Sequence, residues 1–149
     1  MNHSLTLTKE MTEKFSPESI NQLNEESFIS RLGIRCTHVE EGLMEATMPV
    51  NENNCQPLKM LHGGASLTLA ETLAGCGSYV LEKGNKWPWG IQVNGTHVSS
   101  VVMGDSVRAV AKLIHKGHST HLWDVNIYAQ STGKLVSTVR VTNKLGEKK

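Results

Sequence analysis

The 149-residue sequence contains no run approaching the ~18 apolar residues of a membrane helix, so it offers no candidate span. It is equally poor in net charge. Fifteen Lys and Arg stand against 14 Asp and Glu, which gives no basic field for nucleic acid. Cysteine is scarce: Cys36, Cys55 and Cys76 are odd in number, widely spaced and in no CxxC arrangement. That pattern speaks against a disulfide framework and reads as reduced thiols in a cytoplasm. Asp105 and Asp124 are the only aspartates and there is no GxSxG elbow, so a serine-hydrolase arrangement has little to build on. The first residues, MNHSLTLTKE, lack an apolar signal core, and the expected location is cytoplasmic. No internal repeat or low-complexity segment interrupts the chain.

What remains is the length of one domain, large enough to bury roughly two-thirds of its unfolded surface. The expected division is an N-terminal extension with a short helix over 1–30, a main domain over 31–145 and a disordered tail over 146–149, with fraying from Lys144 onward. Ser16-Pro17-Glu18 supplies a capping hydroxyl, a proline at the first helical position and an acid in the first turn, which predicts a helix to about Leu23. A further turn or two is expected over Glu26 to Leu32, stopped by Gly33. Strands are expected at Ile34–Val39 and Leu43–Val50, joined through Glu40-Glu41-Gly42, then at Gly90–Ser99, Ser106–His115, His121–Gln130 and Leu135–Asn143. Runs this close in sequence pair antiparallel, because parallel neighbours need a long crossover. The fold class read from this order is α+β, a long antiparallel sheet of about six strands with one long helix inserted after the second. A single helix covers one face of such a sheet, and a second copy of the chain is the most economical cover for what is left.

That helix carries the most informative segment, LHGGASLTLAETLAG, Leu61 to Gly75. Gly63 and Gly64 suit a helix mouth, where the backbone N–H groups lack intrahelical partners and attract developing negative charge. Glu71 is the only charged residue between Lys59 and Glu82. Eight residues separate Gly63 from Glu71, about 12 Å along a helix rising 1.5 Å per residue. Reacting partners must approach to about 3 Å, so the two cannot serve one small reacting group from the same chain. Cooperation between them requires two chains with antiparallel helices across a twofold axis, and hence two copies of an interfacial site.

LHGGASLTLAET, with Gln56-Pro57 before it and NGTHVSS (Asn94–Ser100) after it, resembles the hotdog-fold acyl-CoA thioesterases. The nearest subgroup is the PaaI-like one of the Arthrobacter-type 4-hydroxybenzoyl-CoA thioesterase, similar also to the enterobactin proofreading and 1,4-dihydroxy-2-naphthoyl-CoA thioesterases. The resemblance covers about Leu32 to Val141. It implies an antiparallel sheet wrapped around one long central helix, a homodimer with shared active sites, and usually a dimer of dimers, a homotetramer. It implies hydrolysis of an acyl-CoA or aryl-CoA thioester with no metal and no cofactor, coenzyme A being part of the substrate. By the same resemblance, Glu71 matches the catalytic carboxylate, either nucleophile or general base. Gly63 matches the glycine whose N–H polarises the thioester carbonyl, with Gly64 beside it. His62 matches an orienting histidine near that carbonyl, and Gln56 a glutamine holding the thioester or the attacking water. His97 and Ser99 fall on the strand lining the pantetheine and nucleotide path, and Gly117, His118, Ser119 and Thr120 on a turn near the coenzyme A phosphates. Two positions depart from the pattern. Gly75 stands where relatives often carry a water-positioning Ser or Thr, with water, Ser78 or a substrate hydroxyl as replacements. Ser99 stands where they often carry Arg.

Other readings of the same residues compete with these. A lone glutamate in an apolar helix pairs with a cation or faces solvent when no motif surrounds it. Paired glycines commonly mark only a tight turn. His115, His118 and His121 span a turn with no carboxylate or cysteine at ligand spacing, which argues against a metal site. Cys76 lies in an apolar helix with no base arranged near it and reads as an inert core thiol. Trp87 and Trp89 flank Pro88 as a packed strand entry or as an aromatic wall of an acyl pocket. Functions of other classes remain open on the residues alone: an acyl-CoA binder without catalysis, or a dehydratase acting on hydroxyacyl thioesters.

Overall fold

A computed structural model describes residues 15–147; the reading of MNHSLTLTKE lies outside the described residues. Two short helices come first, α1 (Pro17–Leu23) and α2 (Phe28–Arg31). Each opens on a serine capping box, Ser16 with Ser19 and Ser27 with Ser30, which satisfies amides that a helix start leaves without partners. Gly33 then turns the chain at a φ of 74°, where a side chain is disfavoured. The hairpin β1 (Arg35–Glu40) and β2 (Leu43–Pro49) follows, then α3 (Gly63–Leu81). Four strands complete the chain: β3 (Trp87–His97), β4 (Ser106–Lys116), β5 (Thr120–Ala129) and β6 (Leu135–Gly146). They form one six-stranded sheet in the order β1-β2-β4-β5-β6-β3, antiparallel at every pairing. No helix among the described residues is long and apolar enough to cross a membrane.

The sheet wraps around α3 because alternate residues of its strands are apolar. On β5, Trp123, Val125 and Ile127 are fully buried, while Asp124, Asn126 and Tyr128 take the outer face. Met44, Ala46 and Met48 of β2 and Val107, Ala109 and Ala111 of β4 continue that inner surface. Fully burying side chains of this kind contributes roughly 1.5–3 kcal/mol each, so the wrap around α3 is the main stabilising contact of the fold. Gly77 permits it: a methyl group there would stand 2.5 Å from the Trp123 ring. The N-terminal helices belong to this core. Ile20 is 1% exposed, and the Asn21 side chain bonds the Cys36 backbone both ways, at 2.7 and 3.0 Å, along the outer edge of β1.

Lys144 and Leu145 were expected to fray, yet they are strand residues. They pair with Trp89 and Pro88, and Leu145 is buried. The same pairing starts β3 at Trp87 rather than Gly90. Pro88 is tolerated because β3 is an edge strand and needs no donor there.

Ser78 was a substitute for the missing water-positioning hydroxyl, and the structure removes it from that role. Its side chain is fully buried and its Oγ accepts from Trp123 Nε1 at 2.9 Å and from Asn143 Nδ2 at 3.0 Å. Both lone pairs are thereby used, so its proton goes to His121 Nδ1, 2.9 Å away. His121 Nε2 then donates to Glu82 Oε1 at 3.1 Å. Burial holds the His121 pKa below its usual value against the opposing pull of Glu82. The network closes the C-terminal end of α3, buried except where it ends on the partly exposed Glu82.

Candidate active site

The loop between β2 and α3 sets up the helix mouth. Asn51 and Asn54 fold it by side-chain bonds to nearby backbone, and Asn54, itself buried, also bonds Pro49 O at 2.7 Å. The Asn54 carbonyl receives the His62 N–H at 2.9 Å, which fixes where α3 begins. His62 is the N-cap, and its Nδ1 accepts from Gly64 N at 2.8 Å. Ala65 N and Ser66 N both reach the His62 carbonyl, at 3.0 and 3.3 Å. In the first turn of α3, Gly63 therefore owns the one amide without a hydrogen-bond partner among the described residues. Because Nδ1 of His62 is an acceptor here, its Nε2 is the ring nitrogen that carries the proton.

Above that amide stands His97. A side chain on Gly63 would meet His97 Nε2 at 2.7 Å, so glycine is required for the ring to lie this close. The other ring nitrogen, Nδ1, is 2.7 Å from Oγ of the buried Ser137. Ser137 escaped the sequence reading, since only the β3–β6 pairing brings it opposite His97. Gln56 lies in the same loop with its Oε1 engaged by Leu58 N–H, which leaves its Nε2 donors as its offer to a ligand. A cavity of about 300 Å³ opens here, lined by His62, Gly64, Thr68, Asn54, Cys55 and Phe28, among others.

Glu71 sits elsewhere on the helix. From Thr68 to Leu81 only Thr68, Glu71, Thr72 and Gly75 escape burial, a single narrow stripe in a helix otherwise enclosed. Glu71 is the exposed member, and its Oε1 rests against Gly90, where any side chain would displace it. The β3 register breaks at that point: Gly90 pairs with Asn143 and Gln92 with Thr142, so Ile91 bulges. Bulges often re-aim an edge strand next to a site. A second cavity, about 140 Å³, joins Glu71, Thr72 and Gly75 to Cys76, Tyr79, Trp87, Pro88, Leu23, Asn24 and Ile29. No residue is common to the two cavities.

The remaining expected residues are divided between the ends of the molecule. Ser99 follows β3 and commits its Oγ to Leu135 O at 2.6 Å. Gly117 to Thr120 form the β4–β5 turn at the end where His121 meets Glu82, away from His97 and the mouth. Gly117 is needed there, since a methyl group would stand 2.8 Å from Thr120 O. One chain thus joins His62, Gly63, Gly64 and His97, places Glu71 and Gly75 in a second group, and leaves the turn apart from both. His121 faces Ser78 and Glu82, while His115 and His118 are exposed; no cluster of three His, Cys, Asp or Glu suited to a metal occurs among the described residues. Cys76 is buried and its thiol pKa is pushed up by that burial; Cys36 is pushed up to about 12 by burial and the neighbouring Cys76.

Comparison with known proteins bears on this arrangement. The profile of the thioesterase superfamily matches residues 58–136, which span the mouth, Glu71 and His97. A 1,4-dihydroxy-2-naphthoyl-CoA hydrolase of Escherichia coli is 35% identical over 87% of this chain and 93% of its own. The crystal structure of a thioesterase from Haemophilus influenzae superposes with a TM-score of 0.84 at 34% identity, covering 90% of this chain and 92% of that one. A mutant thioesterase from Pseudomonas aeruginosa gives 0.83 at 33% identity, with 89% and 95% covered.

Proposed function

This chain belongs to the thioesterase superfamily and is a thioester hydrolase, and from that premise we propose that it hydrolyses acyl-CoA or aryl-CoA thioesters at a site shared by two copies. The open Gly63 N–H carries this reading, because it is a backbone donor left without a partner at the first turn of α3, where the amides that follow it are bonded to His62. The thioester oxygen accepts from Gly63 N–H at the positive end of α3, where charge developing on that oxygen is stabilised. The Glu71 carboxylate of the other copy attacks the carbonyl carbon, or takes a proton from a water that does so. The C–S bond breaks and the coenzyme A sulfur leaves as thiolate and takes up a proton; where water attacked, the free acid is formed directly, and where Glu71 attacked, water then hydrolyses the mixed anhydride, releasing the acid and restoring the carboxylate. Separation of the two cavities within one chain supports the division between copies. So does the exposed edge strand β3, which carries Trp89 and Ile91 beside Glu71. The three unpaired cysteines favour a reducing compartment.

Glu71→Gln should lower thiol release from acyl-CoA substrates by at least about a hundredfold. Retained turnover would remove Glu71 from the chemistry, and tight thioester binding without thiol release by the unmodified protein would make it a binder. Mixing Glu71→Gln chains with Gly63→Pro chains tests the shared site. Each mixed dimer then contains one intact pair of halves and regains activity, whereas a site within one chain stays dead in every combination.

A further inference from the structure

The cavity beside Glu71 is closed at its far wall by residues that precede the matched superfamily segment. Leu23 and Asn24 come from the end of α1 and Ile29 from α2. Its side walls are Cys76, Tyr79, Trp87 and Pro88, with Tyr79 and Trp87 in an edge-to-face contact at 5.7 Å. Gly75 keeps the near side open, since a methyl group there would touch nothing within 4 Å. The cavity volume, about 140 Å³, is close to that of an apolar protein cavity that holds one benzene ring, about 150 Å³. The space within one chain thus matches one ring more closely than two fused rings or a long alkyl chain.

Among these apolar walls Asn24 is an amide. Its Nδ2 donates to Cys76 Sγ at 3.5 Å, and sulfur is a weak acceptor. No other partner engages its side chain among the described residues. A ligand oxygen would replace the thiol at little cost, and Asn24 Oδ1 would accept from a ligand hydroxyl.

The geometry points to Asn24 as a specificity-determining residue. With Leu23 and Ile29 it closes the acyl pocket, admits a compact acyl group about one ring in size, and hydrogen-bonds a polar substituent at its distal end. This rests on the hydrolase reading above. The source of selection is the N-terminal helix pair, whereas Gly63 and Glu71 are indifferent to what the acyl group carries.

The test measures kcat/KM from thiol release for benzoyl-CoA, 3- and 4-hydroxybenzoyl-CoA, decanoyl-CoA and 2-naphthoyl-CoA. The unmodified protein should favour at least one hydroxybenzoyl thioester over benzoyl-CoA and both over the two larger substrates. In Asn24→Leu the hydroxybenzoyl-to-benzoyl ratio should fall about tenfold, the loss of one well-placed hydrogen bond. Both substrates are measured on the same variant, so any loss of folded protein cancels. Ile29→Ala should raise the naphthoyl-to-benzoyl ratio severalfold. An unchanged hydroxybenzoyl-to-benzoyl ratio in Asn24→Leu overturns the proposal while leaving the hydrolase reading intact, as does equal turnover of decanoyl-CoA by the unmodified protein. Absence of thiol release from every thioester overturns both.

Discussion

The two ends of α3 are built from similar materials and treated in opposite ways. At its C-terminal end Ser78, His121, Trp123 and Asn143 form a buried chain of hydrogen bonds that ends on the partly exposed Glu82. At its N-terminal end the histidines are exposed, the glycines keep space open, and one amide is left over. Both ends pair a histidine with a serine, His121 with Ser78 and His97 with Ser137. Accessibility and the unused Gly63 donor separate the buried end from the end proposed to do chemistry. The lesson is that residue type does not mark a site here. An unpaired backbone donor at an accessible helix mouth sets the candidate site apart, whereas the unpaired Asn143 Oδ1 at the other end is buried.

The comparison breaks most visibly at Gly63. Gly63→Ala keeps the amide and pushes His97 aside, whereas Gly63→Pro does the same and also removes the donor, at a helix position where proline is tolerated. The gap in kcat between the two variants should be about 10²–10³-fold, the share of one oxyanion donor. At the other end, Ser78→Ala leaves Trp123, Asn143 and His121 without their shared partner in a dry core. It should cost about 3 kcal/mol in a urea unfolding measurement, with turnover per folded molecule unchanged.

Acid should find the same end. An unfolded histidine titrates near 6.5, and burial holds folded His121 lower despite Glu82, with Lys116 and Lys86 pushing the same way as burial. Below that value the unfolded chain takes up a proton the folded chain refuses, so stability is full above about pH 6.5 and declines as the pH falls toward the folded value. The urea midpoint of the unmodified protein should drop between about pH 7 and pH 5, and His121→Gln should flatten that slope. The smallest effect is expected on the exposed stripe. Gly75→Ser places a side chain where nothing obstructs it and removes a poor helix former, so stability should rise by about 0.5 kcal/mol in the same assay.

Much of the N-terminal end was legible in the sequence because its signals are local. Ser16 and Pro17 mark α1, Gly33 and Gly42 mark turns, and His62 directly precedes the glycines it caps. The separation of Gly63 from Glu71 follows from helix rise alone. The C-terminal end was not legible, because Ser78 meets His121 across 43 positions and Asn143 across 65. Sequence spacing placed Ser78 three and four residues from Gly75 and Ala74, which made it a reasonable but incorrect replacement for a water-positioning hydroxyl. The contact of His97 with Gly63 stayed hidden for the same reason, since the strand order puts β3 beside β6 at the sheet's edge. Asn24 was invisible because nothing in its neighbourhood, QLNEES, announces that it faces a cavity.

The open edge of β3 has a consequence in mass action. Under the proposed pairing through this edge, each working centre needs two molecules to meet, so dilution separates catalytic halves before it unfolds anything. Specific activity then depends on the concentration of the protein itself, falling in proportion to that concentration once dimers are scarce. Under that pairing, doubling the amount of protein at low concentration would more than double the total activity.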